Sequence, residues 1–161
     1  MVNADDRRKT PSRRRQGDQA RRKAVVDRVT SVLRSAQMAL IGSKNSKFER
    51  AVRARLHAAG FRYKLHVRGM PGTPDLVFPA RQKIAFLHSC FWHGHCCRLS
   101  RMPKSNKKYW SKKIALNRAR DARNERALRR LGWGVLCVWE CKFRQSPEKA
   151  VARLGKFLQE V

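Results

Sequence analysis

Acidic residues are scarce in this chain. Only 11 Asp and Glu stand against 39 Lys and Arg, so the formal net charge is +28 over 161 residues. Such an excess favours a polyanionic partner, and nucleic acid is the first candidate. An anionic membrane surface is the weaker alternative, because the basic residues are spread along the chain rather than gathered on one amphipathic helix.

Long apolar runs are also missing. No stretch approaches the roughly 18–20 apolar residues of a membrane span. The N-terminus is charged and has no apolar segment of the secretory type, which argues against a signal peptide. The sequence therefore predicts a protein of the cytoplasm with no membrane partner. Its 42% hydrophobic content suffices for the core of one domain.

Cysteines are few as well, and their number, five, is odd. Most of them lie close to histidines rather than at the spacings of a disulfide framework. This favours a metal site in a reducing compartment.

The first 23 residues are basic and poor in large apolar side chains. They predict a disordered arm that contacts the phosphate backbone non-specifically, or a solvated tail that adds only charge. Residues 24–161 predict a single domain, which begins with a short helix over 25–33.

Helices and strands are predicted along the rest of the chain in the order of a mixed α/β layer fold. Ser46 and Glu49 have the spacing of a capping box at a helix start. The run 134–139 is nearly all apolar, as in a central buried strand. Trp110, Ile114, Leu128 and Leu131 are expected to point inward from a long helix. The predicted strands cover 61–67, 75–78, 83–87 and 134–139, and the later helices cover 107–131 and 147–158.

One loop holds most of the residues that zinc prefers as ligands. Cys90, His95 and Cys97 lie close together, and a closed structural zinc site needs a fourth ligand. Cys141, just past the predicted central strand, is the leading candidate. Cys137 and Cys96 are the competing candidates for the fourth ligand. Cys137 lies in an apolar strand, where it fits better as a small buried residue. Cys96 adjoins Cys97, and adjacent residues rarely both point at one ion.

Because acidic residues are rare in this chain, each one within the predicted domain core is a candidate for a functional role. Asp75 follows Pro74 at a strand start, where it could bind Mg²⁺ or cap a turn, and turn chemistry alone favours the cap. Asn117 and Asp121 lie four residues apart and share a helical face. They could belong to the active site, or they could form only an exposed polar pair on a solvated helix.

His88 and His93 flank the aromatic pair Phe91–Trp92. Either histidine could transfer a proton near neutral pH or serve only the structure. Adjacent aromatics cannot both point inward from a strand, so Phe91–Trp92 is expected to be at least partly exposed.

Several separated blocks, in order and at compatible spacing, resemble the very short patch repair (Vsr-type) DNA mismatch endonucleases. The blocks are Arg34–Met38, Lys44–Ser46 with Glu49, Pro71–Asp75, Phe91–His93, Asn117 with Asp121, and Leu131–Trp133 through Trp139–Cys141. The resemblance implies a restriction-endonuclease-like mixed sheet flanked by helices, with a structural zinc site. It also implies a nick 5′ to the thymine of a T:G mismatch, the product of 5-methylcytosine deamination.

The resemblance assigns roles to particular positions. Asp75 and the backbone carbonyl of Leu87 would bind Mg²⁺ directly, and His93 would transfer a proton at the scissile phosphate. Other positions would support the water molecules around the metal: Glu49, His88, Asn117 and Asp121. The structural zinc would be bound by Cys90, His95, Cys97 and Cys141.

The resemblance also implies contacts with DNA and with other repair proteins. Met38, Phe91 and Trp92 would insert beside the mismatch, where apolar wedges unstack a base step. A MutL-like protein and DNA polymerase I are the candidate partners of a monomeric, nucleoid-associated bacterial enzyme. Two alternatives stay open: a zinc-stabilised DNA-binding module without cleavage, and a related nuclease for another sequence or lesion.

Overall fold

The computed structural model describes residues 45–160, together with Arg21 and Val25. Met38, almost all of the predicted basic arm and nearly all of the helix predicted over 25–33 lie outside the described residues. The fold below concerns residues 45–160.

A three-stranded mixed sheet forms the centre of this part of the chain. Its strands are β1 (Leu76–Phe78), β2 (Lys83–His88) and β3 (Gly134–Trp139), in the order β1-β2-β3. β1 pairs with β2 antiparallel through a short connection, whereas β2 and β3 are parallel. A parallel pair needs a long crossover, and the chain between these strands contains helix α2 (Lys107–Arg130). The predicted small α/β fold is confirmed, and its restriction-endonuclease-like topology stays a prediction.

Helices cover both faces of the sheet. α1 (Lys47–Ala58) and α4 (Pro147–Gln159) pack on one face, where Leu56, Leu76 and Leu154 are at most 1% exposed. Leu128 of α2 packs on the opposite face against Ile84. No helix within residues 45–160 is both long and apolar enough to cross a lipid bilayer.

The predicted start of α1 is confirmed. The Ser46 hydroxyl accepts the Glu49 N–H at 3.2 Å, and the Glu49 carboxylate accepts the Ser46 hydroxyl and the Asn45 N–H, both at 2.9 Å. This is a capping box whose carboxylate reaches one residue beyond the usual N-cap amide.

The strand predicted over 61–67 is wrong. Only Lys64 forms a bridge there, exchanging backbone hydrogen bonds with Val77 of β1. His66 has φ of 51°, a left-handed conformation that ends the extended run. Apolar and polar residues alternate over this segment, which predicted the strand, but the alternation has another cause: Phe61 and Tyr63 pack against the core beside α1 and α4.

Two smaller predictions on the C-terminal half are also corrected, and one short helix was not predicted. β3 lies at the edge of the described sheet, and β2 is central, because strand order depends on tertiary pairing rather than on apolar content. Leu131 is 64% exposed, since α2 ends one residue earlier, whereas Ile114 and Leu128 are buried as predicted. An unpredicted short helix, α3 (Glu140–Gln145), separates β3 from α4.

Candidate active site and metal centre

The sheet brings the candidate metal-binding residues together at one end. Asp75 directly precedes β1, and its Oδ2 accepts the backbone N–H of Leu87, near the end of β2, at 2.7 Å. In a strand, the N–H and C=O of one residue point to the same side. The Leu87 carbonyl therefore faces the side of the sheet on which Asp75 lies.

Asp75 is held in a partly desolvated position. Burial raises the pKa of its carboxyl from 3.8 to about 6, the Leu87 N–H opposes this rise, and the charge of Glu49 adds to it. Repulsion between neighbouring carboxylates is relieved when a cation binds between or beside them. The carboxylate-and-carbonyl set is thus the oxygen-rich kind that Mg²⁺ prefers.

Arg53 is a neighbour of this site that the sequence analysis missed. Its guanidinium donates to Oδ1 of Asn45 at 2.7 Å and to the Glu49 carbonyl at 3.3 Å. Its positive charge lowers the pKa of Asp75, although less than Glu49 raises it. The only sequence signal was its position four residues after Glu49 on α1.

A second group of candidates forms an imidazole pair beside the carboxylates. The rings of His88 and His93 are stacked with centroids 3.8 Å apart and planes 7° from parallel. Nδ1 of His93 lies 2.6 Å from Oδ2 of Asp121. A carboxylate can only accept, so Nδ1 carries the proton and Nε2 of neutral His93 is left with a free lone pair.

His88 is suited to stay neutral beside His93. It is 6% exposed, and burial, followed by the charge of His93, lowers its pKa to about 4. Two stacked imidazoles repel each other when both are protonated. The His93 ring is oriented by its contact with Asp121.

The aromatic pair lies on the same loop and is fixed by α2. Nδ2 of Asn117 donates to the Trp92 carbonyl at 2.9 Å. Phe91 and Trp92 are half-buried, and each contacts Trp110, with ring centroids 5.3 and 5.9 Å away. The predicted partial exposure is confirmed. Trp110, expected only to point inward, joins the aromatic cluster, which Tyr109, 53% exposed, extends toward solvent.

The four predicted zinc ligands meet at the end of β3. The ligand atoms of Cys90, His95, Cys97 and Cys141 all lie within 4.8 Å of one another. The Cys141 N–H donates to Sγ of Cys90 at 3.3 Å, and Sγ of Cys141 lies 3.4 Å from Nδ1 of His95. His95 lowers the pKa of the Cys97 thiol to about 7, which favours the thiolate that metals require. The cluster could hold a metal ion.

Neither of the two competing cysteines belongs to this cluster. Cys96 is exposed. The Cys137 thiol donates to Oε1 of Glu125 at 2.8 Å, and burial raises its pKa. Both facts agree with leaving these residues out of the ligand set.

Gly94 allows the loop to approach α2 closely. Its φ is +62°, and a Cβ at this position would lie 2.6 Å from Cγ2 of Ile114 and 2.9 Å from Cδ of Arg118. Gly94 lies between His93 and His95, so its backbone conformation helps to direct one imidazole ring toward the active-site candidates and the other toward the cysteine cluster. This role of Gly94 was not predicted from the sequence.

Comparison with known proteins identifies the family of the chain. The sequence model of the family described as DNA mismatch endonuclease Vsr matches residues 18–99, about half of the chain. The chain belongs to the Vsr family. The DNA mismatch endonuclease Vsr of Escherichia coli strain K12 is 34% identical over 136 residues, which cover 84% of this chain and 85% of that protein.

Two relatives of the chain are named type II nicking enzymes. V.XorIIP of Xanthomonas oryzae pv. oryzae is 50% identical over 118 residues, 73% of this chain and 87% of the relative. V.NmeAIP of Neisseria meningitidis serogroup A is 38% identical over 139 residues, 85% of this chain and 97% of the relative. The predicted family and class of activity are confirmed: this Vsr-family chain is a DNA-nicking endonuclease of mismatch repair. The alternative of a DNA-binding module without cleavage is not supported.

Replacing Gly94 with Ala should displace the loop. We expect a loss of about 1–3 kcal/mol from overpacking against Ile114, in addition to about 1–2 kcal/mol for the left-handed backbone. Gly60→Ala is the matched control, because Gly60 has φ of +84° with no atom within 4 Å of the added Cβ. Chemical denaturation would compare the two, and equal losses would contradict the close packing of the loop on α2.

The raised pKa of Asp75 predicts a pH-dependent stability in magnesium-free buffer. The folded state disfavours ionised Asp75, so the wild type should lose stability as pH rises from 3.8 to about 6, by up to about 3 kcal/mol. Asp75→Asn keeps an acceptor for Leu87 and removes the charge. It should match the wild type below pH 4 and be more stable above pH 6.

Unfolding free energies across this pH range would check the prediction, with Glu148→Gln as the control for an exposed acid. A difference between Asp75→Asn and the wild type that stays constant with pH would show that burial does not disfavour the ionised carboxylate.

Proposed function

We propose that the chain nicks one DNA strand 5′ to the thymine of a T:G mismatch, in a reaction that depends on Mg²⁺. The observation that carries the proposal is the closeness of two groups at one end of the sheet: the charge of His93 acts on the Asp75 carboxyl, and His88, the residue after Leu87, stacks on His93. Asp75 and the Leu87 carbonyl form an oxygen-donor set, and the His93–Asp121 pair forms a proton-transfer set. Hydrolysis of a phosphodiester needs both a bound cation and a proton carrier.

Magnesium would be held by the Asp75 carboxylate and the Leu87 carbonyl, with Glu49 close enough to support its water ligands. The bound ion would supply charge neutralisation at the scissile phosphate and an activated water. Asp75 is kept in place by the Leu87 N–H and has its pKa raised by burial. Its carboxylate is ionised at and above neutral pH, where it can bind a cation.

His93 would exchange a proton at the scissile phosphate through Nε2. Asp121 fixes the tautomer by accepting from Nδ1 and stabilises the ring when it is protonated. His88, stacked on one face, restricts the orientation of the His93 ring while staying neutral itself. Asn117 fixes the adjacent Trp92 carbonyl and therefore holds the segment that carries His93.

Phe91 and Trp92 would contact the DNA beside the mismatch, with Trp110 as their support and part of the same surface. Inserting apolar side chains unstacks a base step at a cost of a few kcal/mol. The T:G wobble pair is the weaker pair and opens at lower cost, which supports a preference for the mismatch. Met38, which lies outside the described residues, remains a DNA contact predicted from the family resemblance.

A structural zinc ion would be bound by Cys90, His95, Cys97 and Cys141. Three sulfurs and one imidazole are the donor types of closed zinc sites, and the measured proximity fits a single ion. The ion would join the loop after β2 to the end of β3. A MutL-like protein and DNA polymerase I remain predicted partners, and a cytoplasmic, nucleoid-associated location remains a prediction.

Nicking of a duplex panel tests the activity. With Mg²⁺, the wild type should cut the thymine strand of T:G duplexes 5′ to the mismatched base, and matched T:A duplexes should stay intact. Asp75→Asn should lower the single-turnover rate at least about 100-fold because it removes the ionised ligand, and His93→Gln should lower it about 10²–10⁴-fold. Glu148→Gln is the control and should leave the rate unchanged.

Two results would overturn this proposal. Wild-type rates for Asp75→Asn would remove the carboxylate from the mechanism. Equal cleavage of T:G and other mismatches across varied flanking sequences would favour the second candidate, a related nicking enzyme with a different lesion specificity.

The zinc assignment predicts the metal content of two variants. Wild type and Cys96→Ala should each purify with about one zinc per chain, because a closed site binds one ion and Cys96 is exposed away from it. Cys141→Ala should lose most of the metal and several kcal/mol of stability. Elemental analysis and thermal unfolding measure both quantities. Full zinc occupancy in Cys141→Ala would exclude Cys141 as a ligand.

A further inference from the structure

The outer edge of β3 offers backbone groups to a further strand. Gly134 N–H faces β2, because it donates to the Gln82 carbonyl at 2.9 Å. The direction alternates along a strand, and the Val135 carbonyl accordingly faces outward, where it accepts from Arg129 at 2.9 Å. The same alternation directs the backbone of Cys137 and the Trp139 N–H to the outer edge. Within residues 45–160, β3 has a neighbouring strand only on the β2 side.

A cavity of about 570 Å³ lies along this part of the edge. Its walls come from β3, from α3 and from the first turns of α4. The lining residues that matter below are Cys137, Trp139, Lys142, Lys149, Ala150 and Arg153. The space therefore combines an open strand edge with a floor that is partly apolar.

The charge of the cavity is of one sign. Lys142, Lys149 and Arg153 line it, and none of its described lining residues is acidic. Basic groups beside an open edge discourage pairing between two copies of this cationic chain and favour an acidic strand.

We propose that this edge docks an extended acidic segment of a partner protein, which adds to β3 as a fourth strand. A peptide backbone supplies both donors and acceptors, as the outward N–H and C=O groups of Cys137 require. A nucleic-acid phosphate supplies only acceptors and would leave that carbonyl unpaired. None of the proposed catalytic residues lines the cavity, although the ring of its lining residue Trp139 packs against His88 and His95. The inference therefore goes beyond the proposed function.

Two contacts define the extent of the docking edge. Arg129 already donates to the Val135 carbonyl, so an added strand does not pair with β3 at this residue. The Cys137 thiol donates to Glu125, so its hydrogen bond is made within the chain and the docking interaction uses the backbone of this residue. The added strand therefore pairs from Cys137 toward Trp139, with its acidic side chains near Lys149 and Arg153.

The test uses the full chain and a fluorescein-labelled peptide of alternating Glu and Val, eight residues long. Fluorescence anisotropy should show salt-sensitive binding, and a Lys–Val peptide of equal length should not bind. Lys149→Glu combined with Arg153→Glu should weaken binding at least about 10-fold. Lys112→Glu combined with Lys113→Glu, at exposed positions on α2, changes the net charge by the same amount; it is the matched control and should bind as the wild type does.

Amide hydrogen exchange identifies the mode of binding. The N–H groups of Cys137 and Trp139 should exchange fast in the free chain and at least about 10-fold more slowly with the peptide, as expected for new strand pairing. A peptide with proline at alternate positions should not bind, because proline lacks the donor.

The proposal would be overturned if the acidic peptide did not bind, or if the charge-reversed variant bound it as well as the wild type does. It would also be overturned if the amides of Cys137 and Trp139 exchanged slowly before the peptide is added. A fourth contradicting result is charge reversal that weakens DNA binding and leaves peptide binding unchanged. Slow exchange in the free chain would mean that the chain itself covers the edge, and the last result would assign the cavity to DNA.

Discussion

The site depends on how one loop is fixed between the sheet and α2. Cys90 and Cys141 connect the end of β2 to the end of β3 through the N–H···S hydrogen bond, within the cysteine–histidine cluster. Gly94 lets the same loop contact α2, and Asn117 holds the Trp92 carbonyl. These restraints act on about eight residues, which include both the aromatic pair and His93. In the proposed mechanism, recognition of the base pair and proton transfer at the phosphate would thus depend on the same restrained segment.

The two halves of the proposed active site have different electrostatic needs, and different elements of the fold supply them. Asp75 would have to be ionised to bind a cation, yet burial and Glu49 raise its pKa to about 6. His93, which would accept and release a proton, is paired with Asp121 and stacked on His88, whose pKa burial lowers to about 4. The strand ends supply the first half, and the loop together with α2 supplies the second.

Much of this could be predicted from the sequence, because local rules governed it. The capping box at Ser46, the β3 segment and the clustering of Cys90 with His95 are short-range patterns, and the structure contains each of them. The prediction of a strand over 61–67 was wrong because alternation of apolar and polar residues indicates only that one side of the segment is buried. It does not specify a strand with which the segment pairs.

Features that depend on tertiary contacts could not be predicted in this way. The position of β3 at the described edge follows from pairing with β2, and the stacking of His88 on His93 follows from the path of the loop. The contact of Trp110 with the aromatic pair and the packing of Gly94 on α2 likewise join segments about 20 residues apart.

The most direct test of the central claim is single-turnover nicking of a T:G duplex before and after reversible removal of zinc, with Mg²⁺ always present. The proposed zinc ligands do not include the proposed Mg²⁺ ligands, so any effect must act through the position of the loop. We expect the rate to fall about 100-fold, as misplacement of a catalytic group by about 1 Å can cause, and to recover when zinc is restored. A folded, zinc-free chain that nicks at the wild-type rate would contradict the account.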